Sequence, residues 1–207
     1  NPPFKAEYGK YSREARSAMI TNSGVIYYPL WLLYAAGVTQ EAGFEVDFLD
    51  APAKQMNFEK SIKWIKGKNN DYGLIVLDTS TPSIYNDVKF GAKLKELFPK
   101  AFVVLMGTHP TALPEETLKL NDNIDGIAKG EADYIIRDLA IALNKGESLE
   151  TVKGLVYRKD GEIKINEEMP LITDVDAIPW AAKLIKQFLD PKDYFFAAAA
   201  FPEIQIF

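Results

Sequence analysis

The chain has 207 residues, 47% of them apolar, and a net charge of −5. This length and composition suit one domain with an appendage, while the scattered lysines and arginines lack the basic face of a nucleic-acid binder. No cysteine is present, which excludes disulfides, thiolate nucleophiles and a cysteine-bound iron–sulfur cluster within these residues. No apolar stretch reaches the roughly 18 residues of a membrane span. No signal peptide is visible, so we expect a cytoplasmic protein.

Strand-like and helix-like segments alternate over residues 1–148. Short apolar runs predict strands over residues 44–50, 72–78, 101–107 and, more weakly, 125–131. Helical spacing of apolar residues predicts helices over 28–42, 58–68, 87–98 and 133–143, with Asn57 as the N-cap of the second. Such alternation is typical of an α/β domain with a doubly wound parallel sheet.

The pattern changes in residues 149–207. Residues 154–168 predict a β-hairpin whose turn contains Asp160-Gly161, and a linker with one short helix over 183–189 follows. The opening residues 1–4 look like a loop that follows a strand. We therefore expect the first strand of the sheet to lie upstream, and both ends to be cut from something longer.

Small and polar residues follow three of the predicted strands. Ligands of open α/β sheets bind beyond the carboxyl ends of the strands, where glycine permits close approach and hydroxyl groups can bond amides or phosphates. The three loops together therefore predict a broad, mainly neutral binding surface, although any one of them alone is better explained as an ordinary cap or turn. Its candidate residues are Thr79, Ser80, Thr81, Ser83, Gly107, Thr108, His109, Thr111, Ala112, Gly130, Glu131 and Ala132.

Other kinds of site have weaker support. The sequence contains no G-x-S-x-G elbow, Walker loop or complete dinucleotide fingerprint. His109 is the only histidine, and a role as a loop donor is favoured over catalysis. Asp47, Asp50 and Asp78, with Lys129, leave open a receiver-like magnesium site.

Several segments, taken in chain order, resemble the N-terminal cobalamin-binding domain of radical S-adenosylmethionine enzymes. They are "NPPF", "DTSTPSIYNDVKFGAKLKELFP", "GTHPTALPEETL", "DGIAKGEADYIIRDLA" and "GLVYRKDGEI". The resemblance implies a flavodoxin-like sheet with the corrinoid over its strand ends. It also implies a C-terminal radical domain that holds S-adenosylmethionine and a 4Fe–4S cluster, in a methyltransferase or an anaerobic cyclase. We expect no turnover from this chain alone. The alternative is a regulatory or interaction domain without a cofactor.

The same resemblance bears on His109. Many cobalamin domains carry a cobalt-ligating histidine in a D-x-H-x-x-G loop after the first strand, whereas residues 1–24 contain no histidine. His109 follows a later strand. We therefore expect it to contact the corrin edge or the nucleotide tail, or to shape its loop, and not to bind cobalt.

Overall fold

The computed structural model describes residues 1–13, 18–21, 24–68 and 70–196. In chain order, the helices and strands of these ranges are β1 (Lys10–Ser12), β2 (Met19–Thr21), α1 (Leu30–Glu41), α2 (Phe58–Gly67), β3 (Leu74–Asp78), α3 (Ile84–Leu97), β4 (Phe102–Met106), α4 (Thr108–Ala112), α5 (Pro114–Lys119), β5 (Gly126–Ala128), α6 (Ala132–Lys145), β6 (Leu155–Lys159), β7 (Glu162–Ile165) and α7 (Ala181–Phe188).

The main sheet has the strand order β3-β4-β5-β6-β7. The first three strands are parallel, and their register pairs Asp78 with Met106, so the loops that follow them leave the same edge. The hairpin β6–β7 extends this sheet in the antiparallel direction. The predicted α/β fold of the flavodoxin-like class is thus confirmed. The sheet is mixed because the hairpin, which was predicted as a separate extension of a parallel sheet, joins it beside β5.

Helices cover both faces of the sheet, as the nearly continuous apolar strand sequences require. Successive residues of β4 show the two sides. Val104 and Met106 pack in the core formed with α1 and α6, whereas Val103 and Leu105 pack against α3 and α5. The sheet therefore lies in a buried middle layer, and the polar loops at its carboxyl edge are where chemistry is accessible.

Local signals located most helices and the hairpin within a few residues. Asn57 caps α2 as predicted, and its side chain accepts a hydrogen bond of 2.9 Å from the backbone N–H of Lys60. Asp160 and Gly161 both have positive φ angles, 53° and 81°, which suits the two-residue hairpin turn between the paired residues Lys159 and Glu162.

The predicted strand over residues 44–50 is wrong. This segment forms no strand, and its pairing is limited to Asn1, whose amino group donates to the Leu49 carbonyl at 2.8 Å while the Ala51 N–H donates to the Asn1 carbonyl at 3.2 Å. Its apolar residues have the pattern typical of a β-strand, but a strand also requires an adjacent strand with which to form backbone hydrogen bonds. Within the described part of the chain, β3 pairs only with β4.

Two features lie outside the predicted sheet. The small antiparallel pair β1–β2 was not predicted. Tyr11 of β1 contacts the loop that follows β3, with its hydroxyl oxygen 2.7 Å from Ser80 Oγ. Helix α7 packs on α1 through Leu184 and Ile185, near the stacked rings of Tyr28 and Tyr194. The predicted extension over 149–207 continues past residue 196, outside the described residues. No helix in the described ranges is long and apolar enough to cross a membrane.

Candidate functional site

The three predicted loops lie side by side at the carboxyl edge of β3, β4 and β5. The backbone N–H of Thr79 donates to the Met106 carbonyl at 2.9 Å. His109 Nδ1 lies 3.3 Å from Thr81 Oγ1, and the N–H of Gly130 donates to Thr111 Oγ1 at 3.1 Å. These contacts make one continuous surface from the loops.

Glycine is required where the loop after β4 passes close to the loop after β3. Gly107 has a φ angle of 113°, and a Cβ at this position would lie 2.1 Å from the Thr79 carbonyl oxygen and 2.9 Å from Asp78 Oδ1. No side chain fits this gap. Gly130 also has a positive φ angle, 104°, but a Cβ added there would meet nothing within 4 Å, so this residue faces open space.

Three of the predicted site residues are buried beneath the surface of the loops. Thr79, Ser80 and Ser83 are at most 5% exposed. The hydroxyls of Thr79 and Ser83 donate to Asp87 Oδ2 at 2.7 and 2.5 Å, and Ser80 Oγ lies 2.7 Å from the hydroxyl oxygen of Tyr11. These hydroxyls point into the molecule and hold the first loop in shape.

A buried ion pair supports this hydroxyl cluster from below. Arg13 Nη2 lies 2.6 Å from Asp87 Oδ1, and both side chains are at most 1% exposed. The same guanidinium donates through Nη1 to the Asn1 side chain and the Pro2 carbonyl. No sequence pattern indicated this network, because Arg13 and Asp87 are 74 residues apart and β1, which brings Arg13 here, was not predicted.

The accessible part of the edge is small and mostly uncharged. Thr81, Thr108, Ala112, Gly130 and Glu131 are exposed. Gly107, His109 and Thr111 are half-buried, and Ala132 is buried. Hydroxyl, imidazole and backbone groups here can exchange hydrogen bonds with a neutral polar ligand.

Two exposed aromatic side chains flank this surface and were missed in the sequence. Tyr85, in the first turn of α3, is 77% exposed, and Trp31, in the first turn of α1, is 62% exposed. Helix α1 packs against α6, and burial together with the nearby charge of Asp133, at the start of α6, raises the pKa of Tyr34, one turn after Trp31. The starts of the two helices therefore lie near each other. Aromatic residues at helix starts with high exposure are visible only once the packing is known.

Burial raises the pKa of two acidic side chains at this edge. Burial raises the pKa of Asp133 to about 6, and the nearby charge of Glu131 adds to this effect. Burial also raises the pKa of Asp78 to about 6 against the opposing charge of Arg13, and its Oδ2 atom has no hydrogen-bond partner among the described residues. Both carboxyls bind a proton more readily in the folded chain than in an unfolded one.

This difference predicts a pH dependence. A carboxyl with a raised folded-state pKa makes the fold more stable as pH falls from about 6 toward 4, because the folded state takes up the proton first. Asp133→Asn should be more stable than the parent at pH 7 and should flatten this rise, by at most about 3 kcal/mol. Urea unfolding at pH 6, 5 and 4 measures it.

The control for this test is Asp138→Asn, on the same helix with a side chain 35% exposed. It removes one carboxyl without relieving burial and should keep the slope of the parent. Measurements stay at pH 6 and below because the amino terminus, whose pKa burial lowers to about 6, acts with the opposite sign between about pH 8 and 6. Equal slopes for Asp133→Asn and the parent would contradict the assignment.

The receiver-like alternative is not supported by the geometry. Asp47 accepts a hydrogen bond of 2.9 Å from the Tyr72 hydroxyl, before the start of β3, whereas Asp78 ends that strand. Lys129 Nζ pairs with Glu168 at 2.9 Å. In the described part of the chain, no three histidine, cysteine or acidic residues are grouped so that they could hold a metal ion.

Comparison with known protein families identifies the family of this chain. Residues 16–140, well over half of the chain, match the model of the B12 binding domain. The chain belongs to that family. In this B12 binding domain, the matched region contains the three loops of the carboxyl edge and ends within α6.

Named relatives of this B12 binding domain are longer proteins. It is 35% identical over 152 residues to an uncharacterized methyltransferase of Pyrococcus horikoshii, covering 73% of this chain and 32% of that protein. It is 30% identical over 154 residues to the anaerobic magnesium-protoporphyrin IX monomethyl ester cyclase of Cereibacter sphaeroides, covering 72% and 25%. The chain thus spans about a third or less of these curated relatives.

Solved structures give the same fold. The cobalamin-dependent S-adenosylmethionine radical enzyme OxsB, with aqua-cobalamin and S-adenosylmethionine bound, superimposes with a TM-score of 0.66 at 18% identity. The match covers 81% of this chain and 24% of OxsB. This B12 binding domain therefore has the architecture found in one part of a larger radical enzyme.

Proposed function

We propose that this chain binds cobalamin over the carboxyl edge of β3, β4 and β5 and presents it to a radical S-adenosylmethionine domain of the same polypeptide. The parent activity would be that of a methyltransferase or a related radical enzyme. The observation that carries this proposal is the joining of three small-residue loops into one surface, through His109–Thr81 and Gly130–Thr111, in a B12 binding domain. Cytoplasmic location stays a prediction.

The accessible residues fit the chemistry of a corrinoid. The corrin rim carries neutral amide side chains, which the hydroxyls of Thr81 and Thr108 and the imidazole of His109 can bond. The open space at Gly130 lets a broad, flat ligand approach the backbone. Trp31 and Tyr85 offer exposed apolar faces beside it. When bound, cobalamin supplies the organometallic chemistry, while these residues bind and orient its rim.

In this mode of binding, no histidine of this chain coordinates the cobalt. Residues 1–24 contain no histidine, and His109 lies at the β4 end, beside Thr81. The chain also has no cysteine, so the proposal assigns the cluster and the reductive cleavage of S-adenosylmethionine to another domain. An absence of turnover from this chain alone stays a prediction.

Retention of hydroxocobalamin tests the proposal. The chain is mixed with excess hydroxocobalamin, passed through a desalting column, and its visible spectrum is recorded. We expect roughly one cobalamin per chain, with a spectrum that lacks histidine coordination. A chain that elutes folded and free of cobalamin would favour the alternative of an interaction domain without a cofactor.

His109→Ala should weaken cobalamin binding by about tenfold or less and leave the cobalt spectrum unchanged. The variant loses one hydrogen bond, worth about 1 kcal/mol, and about 1.4 kcal/mol corresponds to a factor of ten. His109→Asn is the matched control, because its amide can replace the ring nitrogen beside Thr81, and it should bind as the parent does. Titration followed by visible absorbance measures both. A spectral change that signals loss of an axial nitrogen ligand in His109→Ala would overturn this role.

A further inference from the structure

Residues 190–196, which follow α7, form a strap that is bound to earlier parts of the chain. Tyr194 is 2% exposed, and its ring stacks on that of Tyr28 with the centroids 4.4 Å apart. The Ile26 N–H donates to the Phe195 carbonyl at 3.0 Å, which makes a single antiparallel bridge. The strap is therefore docked on the residues that lead into α1.

A buried hydrogen bond also fastens the strap to the segment that follows residues 44–49. The Tyr194 hydroxyl donates to Asp50 Oδ2 at 2.6 Å, and Asp50 is 2% exposed. Burial and the charge of Asp50 raise the pKa of Tyr194 well above its usual value, so the phenol keeps its proton and remains a donor. An ion pair of 3.0 Å between Asp193 and Lys54 is partly exposed, and such pairs contribute little. Tyr194 is thus the main anchor of the strap.

Strand β1 lies between the strap and the loop that follows β3. Successive side chains of a strand point to opposite sides. Lys10 accordingly donates to the Asp193 carbonyl of the strap, whereas the next residue, Tyr11, places its hydroxyl oxygen 2.7 Å from Ser80 Oγ in the loop. A pair of strands such as β1–β2 is at best marginally stable by itself, so β1 takes its position from the contacts on its two sides.

We infer that the strap is a positioning element of the cobalamin site and that Tyr194 is its anchoring residue. Through β1 the strap fixes Tyr11 against the loop after β3, and through Ile26 it fixes the start of α1, where Trp31 lies. Cobalamin bound to these parts of the site then stabilises the docked strap, and the docked strap strengthens cobalamin binding by the same factor. The inference rests on the proposed function and adds to it a segment outside the carboxyl-edge loops.

Tyr194→Phe tests the inference in the whole chain. The variant keeps the stacked ring and removes only the hydroxyl that bonds Asp50. Tyr72→Phe is the matched control. It also removes a hydrogen bond from a tyrosine hydroxyl to an aspartate, the bond of 2.9 Å to Asp47, but it lies before β3, at the opposite edge of the sheet.

Tyr194→Phe should weaken hydroxocobalamin binding by roughly fivefold or more, as measured by visible titration, while Tyr72→Phe binds as the parent does. Without ligand, hydrogen exchange at residues 10–12 and 79–83 should be faster in Tyr194→Phe and unchanged in Tyr72→Phe. Lys10→Met, which breaks the contact between the strap and β1 instead, should change binding and exchange in the same direction.

The reciprocal effect separates positioning from a purely structural role. In the parent, hydroxocobalamin should slow exchange at residues 193–196 and leave residues 98–101, at the opposite edge, unchanged. A strap that only stabilises the fold would show no such response to the ligand. Protection of the carboxyl-edge loops without any at residues 193–196 would overturn the inference, as would parent-like binding by Tyr194→Phe.

The exchange of the free chain also keeps this inference separate from the proposed function. A parent chain that retains no cobalamin would contradict the proposed function. The exchange at residues 79–83 of Tyr194→Phe without ligand would then still show whether the strap positions that loop. Exchange there equal to that of the parent would overturn the strap as a positioning element.

Discussion

Asp87→Ala should lower the free energy of unfolding by about 3–5 kcal/mol, because it leaves a buried guanidinium without its partner. Arg13 and Asp87 lie 2.6 Å apart with both side chains nearly inaccessible. The carboxylate also accepts the hydroxyls of Thr79 and Ser83, so the first loop of the site should loosen as well. Urea unfolding gives the free energy, and hydrogen exchange at residues 79–83 reports on the loop.

Asp122→Ala is the matched control for this ion pair. Asp122 pairs with Arg158 at 3.1 Å but is 95% exposed, and such surface pairs contribute about 0–1 kcal/mol. The double variant Arg13→Met with Asp87→Leu should recover only part of the loss: apolar residues can replace the buried ion pair, but the hydroxyls of Thr79 and Ser83 lose their acceptor. A cost for Asp87→Ala no larger than that for Asp122→Ala would show that the buried pair does not support the loop.

Gly107→Ala should cost at least about 3 kcal/mol of stability and abolish cobalamin retention. Its φ angle of 113° strains any residue with a Cβ, an effect of roughly 1–3 kcal/mol, and the added methyl would lie 2.1 Å from the Thr79 carbonyl oxygen. The β3 and β4 loops must then separate. Urea unfolding and desalting with hydroxocobalamin measure the two effects.

Gly130→Ala is the control that distinguishes backbone strain from the steric clash of an added Cβ. Its φ angle is 104°, yet nothing lies within 4 Å of the added Cβ. It should therefore cost only the backbone strain of roughly 1–3 kcal/mol and leave the β3 and β4 loops together. Equal losses of stability for the two variants would contradict the close crossing of the loops at Gly107.

The sequence predicted those parts of the fold that local patterns control. Apolar runs indicated β3 and β4, and Asp160-Gly161 located the hairpin turn, because each signal lies within a few residues. Residues 44–50 have the same kind of pattern, but pairing depends on a neighbour that no local pattern reveals. The strand prediction there failed for this reason.

The site was predictable at the level of loops and not of side chains. The carboxyl-edge rule placed the three loops side by side, as the His109–Thr81 and Gly130–Thr111 contacts show, while a role for these residues in binding a ligand stays a prediction. It also included Thr79, Ser80 and Ser83, whose hydroxyls are used internally, because burial there depends on Arg13 and Asp87, distant in sequence. The exposure of Trp31 and Tyr85 is likewise a product of packing.

Hydrogen exchange of the chain with and without hydroxocobalamin tests the central claim most directly. We predict that cobalamin slows exchange at residues 79–83, 107–112 and 129–132, which form the carboxyl edge. Residues 98–101 and 120–125, before β4 and β5 at the opposite edge, should exchange as before. Protection centred on the opposite edge, or no protection at either edge, would contradict a cobalamin site at these loops.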